Sequence, residues 1–371
     1  MANRAIRYRL YPNAEQKTFF AKTFGCCRKV YNLMLNDKIE GYKKNGVFPS
    51  VTPTMYKKDY PFLREVDSLA LANAQMNLQA AFRNCFDKKR KKRNGFPKFK
   101  SAKHSRKSYT TNNQKGTVSL CGNAVRLPKV GKVKAVLHRL PPEGWKIKSA
   151  TVSQEADDTY YVSVLFEYGE PANSYVPDID NAVGLDYKSN GLYTDSEGHC
   201  CSMPHFFRFS QKRLAKAQRK LKHKTDGSKN YYKQQKRIAK VCRHVSNQRK
   251  DFLHKTSTAI VKRYDVVCVE SLNMRAMSNK GFGNGKATMD NGYGMFLAML
   301  EYKMKDRGKY LIKVDKWFKS SQICHRCGTV HPEMKDLDMR TMRCSCGLII
   351  DRDYNAALNI KDEGLRMLRS A

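Results

Sequence analysis

Four cysteines, Cys324, Cys327, Cys344 and Cys346, stand in two close pairs, each followed at once by a glycine, Gly328 or Gly347. Thiolates one or two residues apart clamp an ion from a single turn, and the chain between the pairs is long enough for a small β-ribbon that joins them. The chemistry this predicts is a tetrahedral Zn²⁺ site, structural because four thiolates leave no open position. The second pair, with one intervening residue, must make a tight knuckle. Carboxylates are the other candidates. Asp186 closes the apolar run Ala182-Val183-Gly184-Leu185 and Glu270 closes Val266-Val267-Cys268-Val269; both are expected at strand ends, where ligand sites of mixed sheets form. Beyond the cysteines, Ala356, Ala357 and Ile360 recur at helical spacing, which puts Asp353 on or near the buried face of a short helix. A lone carboxylate there is costly unless something positive binds it, whereas Asp351 or Asp353 as the helix cap is the plainer role.

Composition and periodicity supply the elements that must position these groups. The chain has 371 residues, enough for two or three domains with a sizeable core. Its formal net charge of +38 exceeds what solubility needs. The sequence offers no apolar run long enough to cross a bilayer, no signal peptide and no basic amphipathic helix with a strong apolar face, so the expected polyanion is nucleic acid and not a membrane. The remaining cysteines (Cys26, Cys27, Cys85, Cys121, Cys200, Cys201, Cys242 and Cys268) form no regular framework, which fits a reducing cytosol.

Ile6, Tyr8 and Leu10 alternate with Ala5, Arg7 and Arg9 in a half-buried strand ended by Pro12. Asn13 and Gln16 form a capping box for a helix carrying Phe19, Phe20, Phe24, Val30, Tyr31 and Met34. A second helix spans about Ser68 to Phe86, with Leu71, Ala74, Leu78, Phe82 and Cys85 on one face. Asn73, Asn77 and Asn84 lie opposite, an amide stripe suited to base edges or ribose hydroxyls and equally to plain solvation. From Lys88 to Lys107 eleven Lys or Arg and no acid surround Phe96 and Phe99. This predicts a phosphate-tracking linker whose aromatics stack on bases or anchor it to the core, with Lys88, Lys89, Arg90, Lys98 and Lys100 as contacts. Short alternating runs at 117–120, 124–127, 132–137, 146–153 and 160–166 predict a small antiparallel sheet or barrel, which the first strand joins with the helices as an insertion.

A linker at 171–180 precedes the strand that carries Asp186. From Arg208 to Arg263 nineteen Lys or Arg stand against two acids, Asp226 and Asp251. Leu214, Ala217 and Leu221, then Ile238, Val241 and Val245, keep helical spacing, so two long helices hinged at Asp226-Gly227 are expected. Like charges at this density repel one another and call for a polyanion, with Arg208, Lys212, Arg213, Lys216, Arg219, Lys220, Lys233 and Arg237 as candidate contacts.

The stretches RYRLYPN, NAEQ with FGCCRKVYN, GFPKFKS, VGLDY with DSEG, NQRKDFLHKTS, VVCVESLNM, SSQICHRCG and DRDYNAALNI span nearly the whole chain. In that order they resemble the TnpB (insertion-sequence OrfB) family, related to the type V CRISPR effector nucleases. The resemblance implies a RuvC-like, RNase H-type domain whose Asp-Glu-Asp set falls on Asp186, Glu270 and Asp353. Tyr187 and Ser189, where many members carry small residues, depart from the pattern, as does Cys344-x-Cys346; neither removes a carboxylate. Three converging acids raise one another's pKa unless cations neutralise them. Two Mg²⁺ ions about 3.5 to 4 Å apart would do so, one activating a water and the other stabilising the leaving 3′ oxygen, with a 5′ phosphate left behind.

The expected protein is therefore a Mg²⁺-dependent RNA-guided DNA endonuclease of a mobile element, cytoplasmic and nucleoid-associated in a prokaryote. It would hold an element-encoded guide RNA and cut double-stranded target DNA beside a short flanking motif, acting beside a separate transposase. Ser68, Asn73 and Asn77 are the candidates for reading that motif, while the basic hairpin holds the heteroduplex backbone. The expected fold is an N-terminal β-barrel (1–12 and 103–175) with a helical insertion (13–102), then an RNase H-like domain (181–320 and 347–371) interrupted by a zinc ribbon (321–346). Two other classes compete. A nuclease-inactive RNA-guided DNA-binding repressor would lack one of the acids, and a strand-joining transposase would carry a DNA-binding domain such as a helix-turn-helix, which the sequence does not suggest.

Overall fold

In β1 (Ala2–Leu10) the expected alternation holds, with Ile6, Tyr8 and Leu10 buried and the intervening residues turned outward. The computed structural model describes residues 2–87, 95–169, 175–279 and 285–370, in two units, Met1–Pro171 and Ala172–Ala371. Lys88, Lys89 and Arg90 lie outside the described residues.

In the first unit β1 is followed by α1 (Ala14–Asn45), whose capping box is formed as predicted: Gln16 N–H donates to Asn13 Oδ1 and Asn13 N–H to Gln16 Oε1. Next come α2 (Ser68–Phe86), β2 (Lys107–Asn112), β3 (Ser119–Cys121), β4 (Ala124–Leu127), β5 (Gly131–Val136), β6 (Lys146–Gln154) and β7 (Tyr160–Tyr168). The strands form one antiparallel sheet in the order β2-β6-β7-β1-β5-β4-β3; no ladder between β2 and β3 closes it among the described residues. β1 lies between β7 and β5, so the chain leaves the sheet after its first strand and returns to it after both helices. Helices and strands share one hydrophobic core, in which Phe20 and Phe24 of α1 pack on Tyr109 of β2. β2 itself was hidden in the sequence, because its residues continue the basic run. It is held by a ladder to β6 and by the Thr111 hydroxyl, which donates 2.5 Å to Asp67, the buried cap of α2.

The second unit begins with β8 (Ala182–Tyr187), β9 (Tyr193–Asp195) and β10 (Cys200–Cys201), followed by α3 (Phe206–Lys222), α4 (Lys229–Arg263), β11 (Val266–Glu270), α5 (Met274–Met277), α6 (Gly285–Asn291), α7 (Tyr293–Lys305) and β12 (Tyr310–Val314). Its five-stranded sheet has the order β10-β9-β8-β11-β12, with β8, β11 and β12 parallel and β9 and β10 antiparallel. The chain then forms a small ribbon, β13 (Thr341–Arg343) paired with β14 (Ile349–Asp351), and runs directly into α8 (Arg352–Arg369). This last helix lies tight on the sheet: a Cβ at Gly184 would sit 2.1 Å from the Ala357 carbonyl oxygen, and one at Gly364 2.3 Å from Cys268 Sγ. Only glycine permits either approach. The predicted hinge between α3 and α4 is present, with Gly227 at φ 76° and Ser228 capping α4 through Tyr231 N–H.

Candidate active site and metal centre

Parallel pairing of β8 with β11 fixes the first two acids. Leu185 stands opposite Val269, so the next residues, Asp186 and Glu270, emerge at the same end of neighbouring strands. The third acid stands in the first turn of α8, which is packed against both strands. Burial, then the charges of Glu270 and Asp353, push the Asp186 carboxyl well above its ordinary range, against the opposing pull of Arg352 and Lys188. Burial pushes Glu270 up to about 7. The three predicted residues are thus brought into one electrostatic neighbourhood, in which acids of one sign crowd a half-buried site and call for a cation. Asp351 is separated from them in role: its Oδ1 accepts from the N–H groups of Asp353 and Tyr354, the capping function foreseen as the alternative.

Sequence reasoning missed the groups that surround these acids. Lys188 Nζ lies 3.3 Å from Asp353 Oδ2. Asn291 at the end of α6 donates to the carbonyl oxygens of Ser189 (2.7 Å) and Lys188 (3.4 Å), holding the turn after β8. Arg352 is buried and donates to the Asp336 carbonyl oxygen at 2.6 Å. Lys188 could have been found, since it stands two residues beyond Asp186; Asn291 and Arg352 carry no local signal.

The cysteines meet the stricter test. Cys324, Cys327, Cys344 and Cys346 Sγ all lie within 4.8 Å of one another, the one group of three or more such ligand atoms this close among the described residues. The Cys324–Cys346 and Cys327–Cys344 separations are 3.7 and 3.5 Å, close to the ~3.8 Å edge of a tetrahedron with Zn–S bonds of about 2.3 Å. The second pair sits in the turn of the β13–β14 ribbon, and the Ile323–Val330 bridge closes the first knuckle. The Cys346 backbone N–H and His331 hold the Cys344 thiol down to about 5, ready to bind as thiolate. The set fits a structural zinc ion. Its connection to the acids is specific: from α8, Asn355 accepts from His325 N–H and donates to Ile323 O, and Asn359 donates to Ser320 and Ile323 O. The helix that carries Asp353 is therefore fastened to the first knuckle.

The hairpin cations Arg208, Lys212, Arg213, Lys216, Arg219, Lys220, Lys233 and Arg237 are all exposed, and α3 buries no residue. Between α3 and α4 runs a groove of about 620 Å³ lined by Arg213, Lys216, Lys220, Arg237, Lys240, Arg243 and His244. In the first unit, Asn73 and Asn77 line a small polar cleft with Arg28 and Lys107, but Ser68 does not; its hydroxyl accepts from Lys57. Phe96 packs edge-on against Phe82 and so anchors the basic run, while Phe99 is exposed. Lys98 is exposed, whereas Lys100 lies 3.8 Å over the Tyr31 ring with its backbone held by Asn32.

Among known proteins, a sequence model described as "Probable transposase", that of the insertion-sequence OrfB proteins, matches residues 163–281, and a "Cas12f1-like, TNB domain" model matches 293–360. A protein of Streptomyces pristinaespiralis named "Putative RNA-guided DNA endonuclease" is 36% identical over 372 residues, covering 98% of this chain and 89% of the relative. The chain belongs to the TnpB (insertion-sequence OrfB) family. InsQ of Escherichia coli K12, which carries the same name, is 27% identical over 405 residues, 98% of this chain and 93% of that one. A solved structure, the cryo-EM structure of a Cas12f1-sgRNA-target DNA complex, shares the fold at a TM-score of 0.60 and 13% identity, over 97% of this chain and 98% of its own. A family model described as "Helix-turn-helix domain" matches residues 1–47. That stretch folds here as β1 and the single helix α1, with no second helix among the described residues.

Proposed function

We propose that this chain is an RNA-guided DNA endonuclease of an insertion sequence, with Asp186, Glu270 and Asp353 as its catalytic acids. The observation that carries the reading is the pairing of β8 with β11, which puts Asp186 and Glu270 at the same end of neighbouring strands; burial first, and then the charges of Glu270 and Asp353, raise the Asp186 carboxyl, which supports it. Relatives over nearly the whole chain bear the endonuclease name, which supports the same reading. Two Mg²⁺ ions held by the three carboxylates would supply charge neutralisation and an activated water for phosphodiester hydrolysis. The oxygen donors fit such hard cations. Asp186 and Glu270 offer their carboxylates from strand ends held by parallel pairing, and Asp353 depends on α8 and, through Asn355 and Asn359, on the zinc knuckle.

In this reading the chain comprises a β-domain (1–12 and 103–175) with its helical insertion (13–102), followed by an RNase H-like domain (181–320 and 347–371) interrupted by the ribbon (321–346). The exposed cations of α3 and α4 track the phosphates of guide and heteroduplex, and Asn73 and Asn77 are the favoured readers of the flanking motif. The test is to purify the protein from its host, sequence the RNA that accompanies it, and supply a reprogrammed guide with matched DNA and Mg²⁺. Cleavage that follows the guide supports the reading. Guide-dependent binding without cleavage would favour the repressor, and joining of strand ends the transposase.

A further inference from the structure

The edge strand β12 ends beside one of the acids. Its parallel ladder with β11 sets Val314 opposite Glu270 and runs one bond further, Ser271 N–H donating to the Val314 carbonyl oxygen at 3.0 Å. Asp186, Glu270 and the residues after Val314 therefore leave the sheet at the same end. The chain turns there at once. Phe318 N–H donates to the Asp315 carbonyl oxygen at 3.1 Å and Trp317 N–H to the Asp315 carboxylate at 2.8 Å, a β-turn closed by its aspartate with Trp317 at the third position. Three residues reach at most about 10 Å and neighbouring strands lie about 4.8 Å apart, so the Cα atoms of Trp317 and Glu270 are within roughly 15 Å.

This turn sorts its two aromatic residues. Phe318 packs against the core formed by Val266, Cys268, Val314 and Ile360, between the sheet and α8. Ser320, two residues on, is buried and its carbonyl oxygen accepts from Asn359 of α8 at 2.7 Å. Trp317, held between Asp315 and Phe318, is left 77% exposed. The other tryptophan of the chain, Trp145, is stacked on Tyr168 at 4.2 Å, the usual way an indole is satisfied. The Lys316 ammonium lies 4.6 Å from the centroid of the Trp317 ring, and Lys319 is exposed as well. A single exposed apolar side chain is ordinary. An exposed indole on an anchored turn, flanked by two lysines at the sheet end that carries two acids, is a preorganised surface: its π-face suits a base and the ammonium groups suit phosphates.

Resting on the endonuclease reading above, we propose that Trp317 is a stacking platform for one unpaired base of the DNA strand drawn to the acids, with Lys316 and Lys319 on that strand's phosphates. Stacking pins the strand a few nucleotides from the acids and so fixes which phosphate reaches them. It reads no base edge, since every base has a π-face, and this suits an enzyme that must cut whatever sequence its guide selects.

Removing the ring should act on cutting and not on assembly. With guide-loaded protein and saturating matched DNA, Trp317→Ala should cleave on the order of 10-fold more slowly, and Trp317→Tyr should recover most of the rate. Guide affinity and melting temperature should stay at the wild-type values, because the ring is exposed. An abasic nucleotide scanned through the DNA near the cut should, at one position, slow the wild type by the same factor and slow Trp317→Ala no further. In EDTA, where nothing is cut, matched DNA should quench the tryptophan emission of the wild type more than that of Trp317→Tyr, which reports Trp145 alone. Asp186→Ala separates the two levels of inference. If Asp186→Ala is inert and Trp317→Ala cuts at the wild-type rate, melts lower or loses guide affinity, the platform is wrongly assigned, and equal quenching in the two proteins would overturn it as well. If Asp186→Ala still cuts, the endonuclease centre itself is misassigned.

Discussion

Lys188 Nζ lies 3.3 Å from Asp353 Oδ2, so a residue two positions beyond the first acid already neutralises the third. The pair is partly shielded, with side-chain exposures of 34% and 15%. A cation bound by Asp353 must compete with this ammonium. Lys188→Ala should therefore tighten Mn²⁺ binding to the nucleic-acid-free protein by about 5-fold, the equivalent of a partly exposed ion pair worth roughly 1 kcal/mol. Unchanged Mn²⁺ affinity in a direct titration would show that the pair does not gate the site.

The acids themselves divide by geometry. Asp186→Ala, Glu270→Ala and Asp353→Ala should each abolish Mg²⁺-dependent cleavage while leaving guide affinity intact, because the exposed cations on α3 and the first half of α4 are elsewhere on the fold. Asp351→Ala should cost about 1 kcal/mol of stability through the lost cap of α8 and only partly lower activity. Cleavage and melting measured across the four variants decide the assignment. If Asp353→Ala still cuts and Asp351→Ala does not, the third ligand has been wrongly chosen.

Burial makes the centre sensitive to pH. Glu270 is held at about 7 against an ordinary value of 4.5. Between those pH values the unfolded chain has released a proton that the folded chain retains, so metal-free stability must fall as pH rises through this window, by roughly 3 kcal/mol in all. Below about 4.5 both states are protonated and the penalty is absent. In EDTA, the wild-type melting temperature should drop relative to Glu270→Gln between pH 5 and 7, and added Mg²⁺ should recover the loss. Parallel curves for the two proteins would rule out this linkage.

The sequence exposed these acids because strand ends and helix starts are local patterns: Asp186 and Glu270 each terminate an apolar run, and Asp353 heads an alanine-rich helix. The four cysteines were equally legible, since their spacing encodes the knuckles. β2 was not, because alternation in Ser108, Tyr109, Thr110 and Thr111 is masked by basic neighbours, and only its pairing with β6 makes it a strand. The partners of the site were hidden for a different reason. Asn291 and Arg352 act across distances that no sequence period reports, and Asn355 and Asn359 look like ordinary helix residues until the first knuckle is seen beside them.

Those two asparagines make a prediction about zinc. Cys327→Ser should release the metal and loosen the first knuckle, and activity should fall through Asp353, not through loss of guide RNA. Asn359→Ala leaves all four thiolates in place yet removes two hydrogen bonds from α8 to Ser320 and Ile323. It should retain zinc by elemental analysis and still cleave more slowly. Full activity in Asn359→Ala would mean that the ribbon does not position α8 through this pair of hydrogen bonds, and absence of zinc from the wild-type protein would remove the metal centre altogether.

The basic hairpin offers the remaining test. Lys216, Arg219 and Lys220 are exposed on α3, and no carboxylate among the described residues is paired with them. Cations left unpaired in this way repel one another until phosphates replace their counterions, so affinity for guide RNA should depend steeply on salt. Replacing all three with Ala should weaken binding and flatten the slope of log affinity against log salt by about 0.7 to 0.9 for each phosphate no longer neutralised, roughly 2 to 3 in total. Zinc content and melting temperature should be unaffected, because α3 buries no side chain. An unchanged slope would place these three residues in solvent and move the phosphate track elsewhere, first to the groove side of α4 at Arg237 and Lys240.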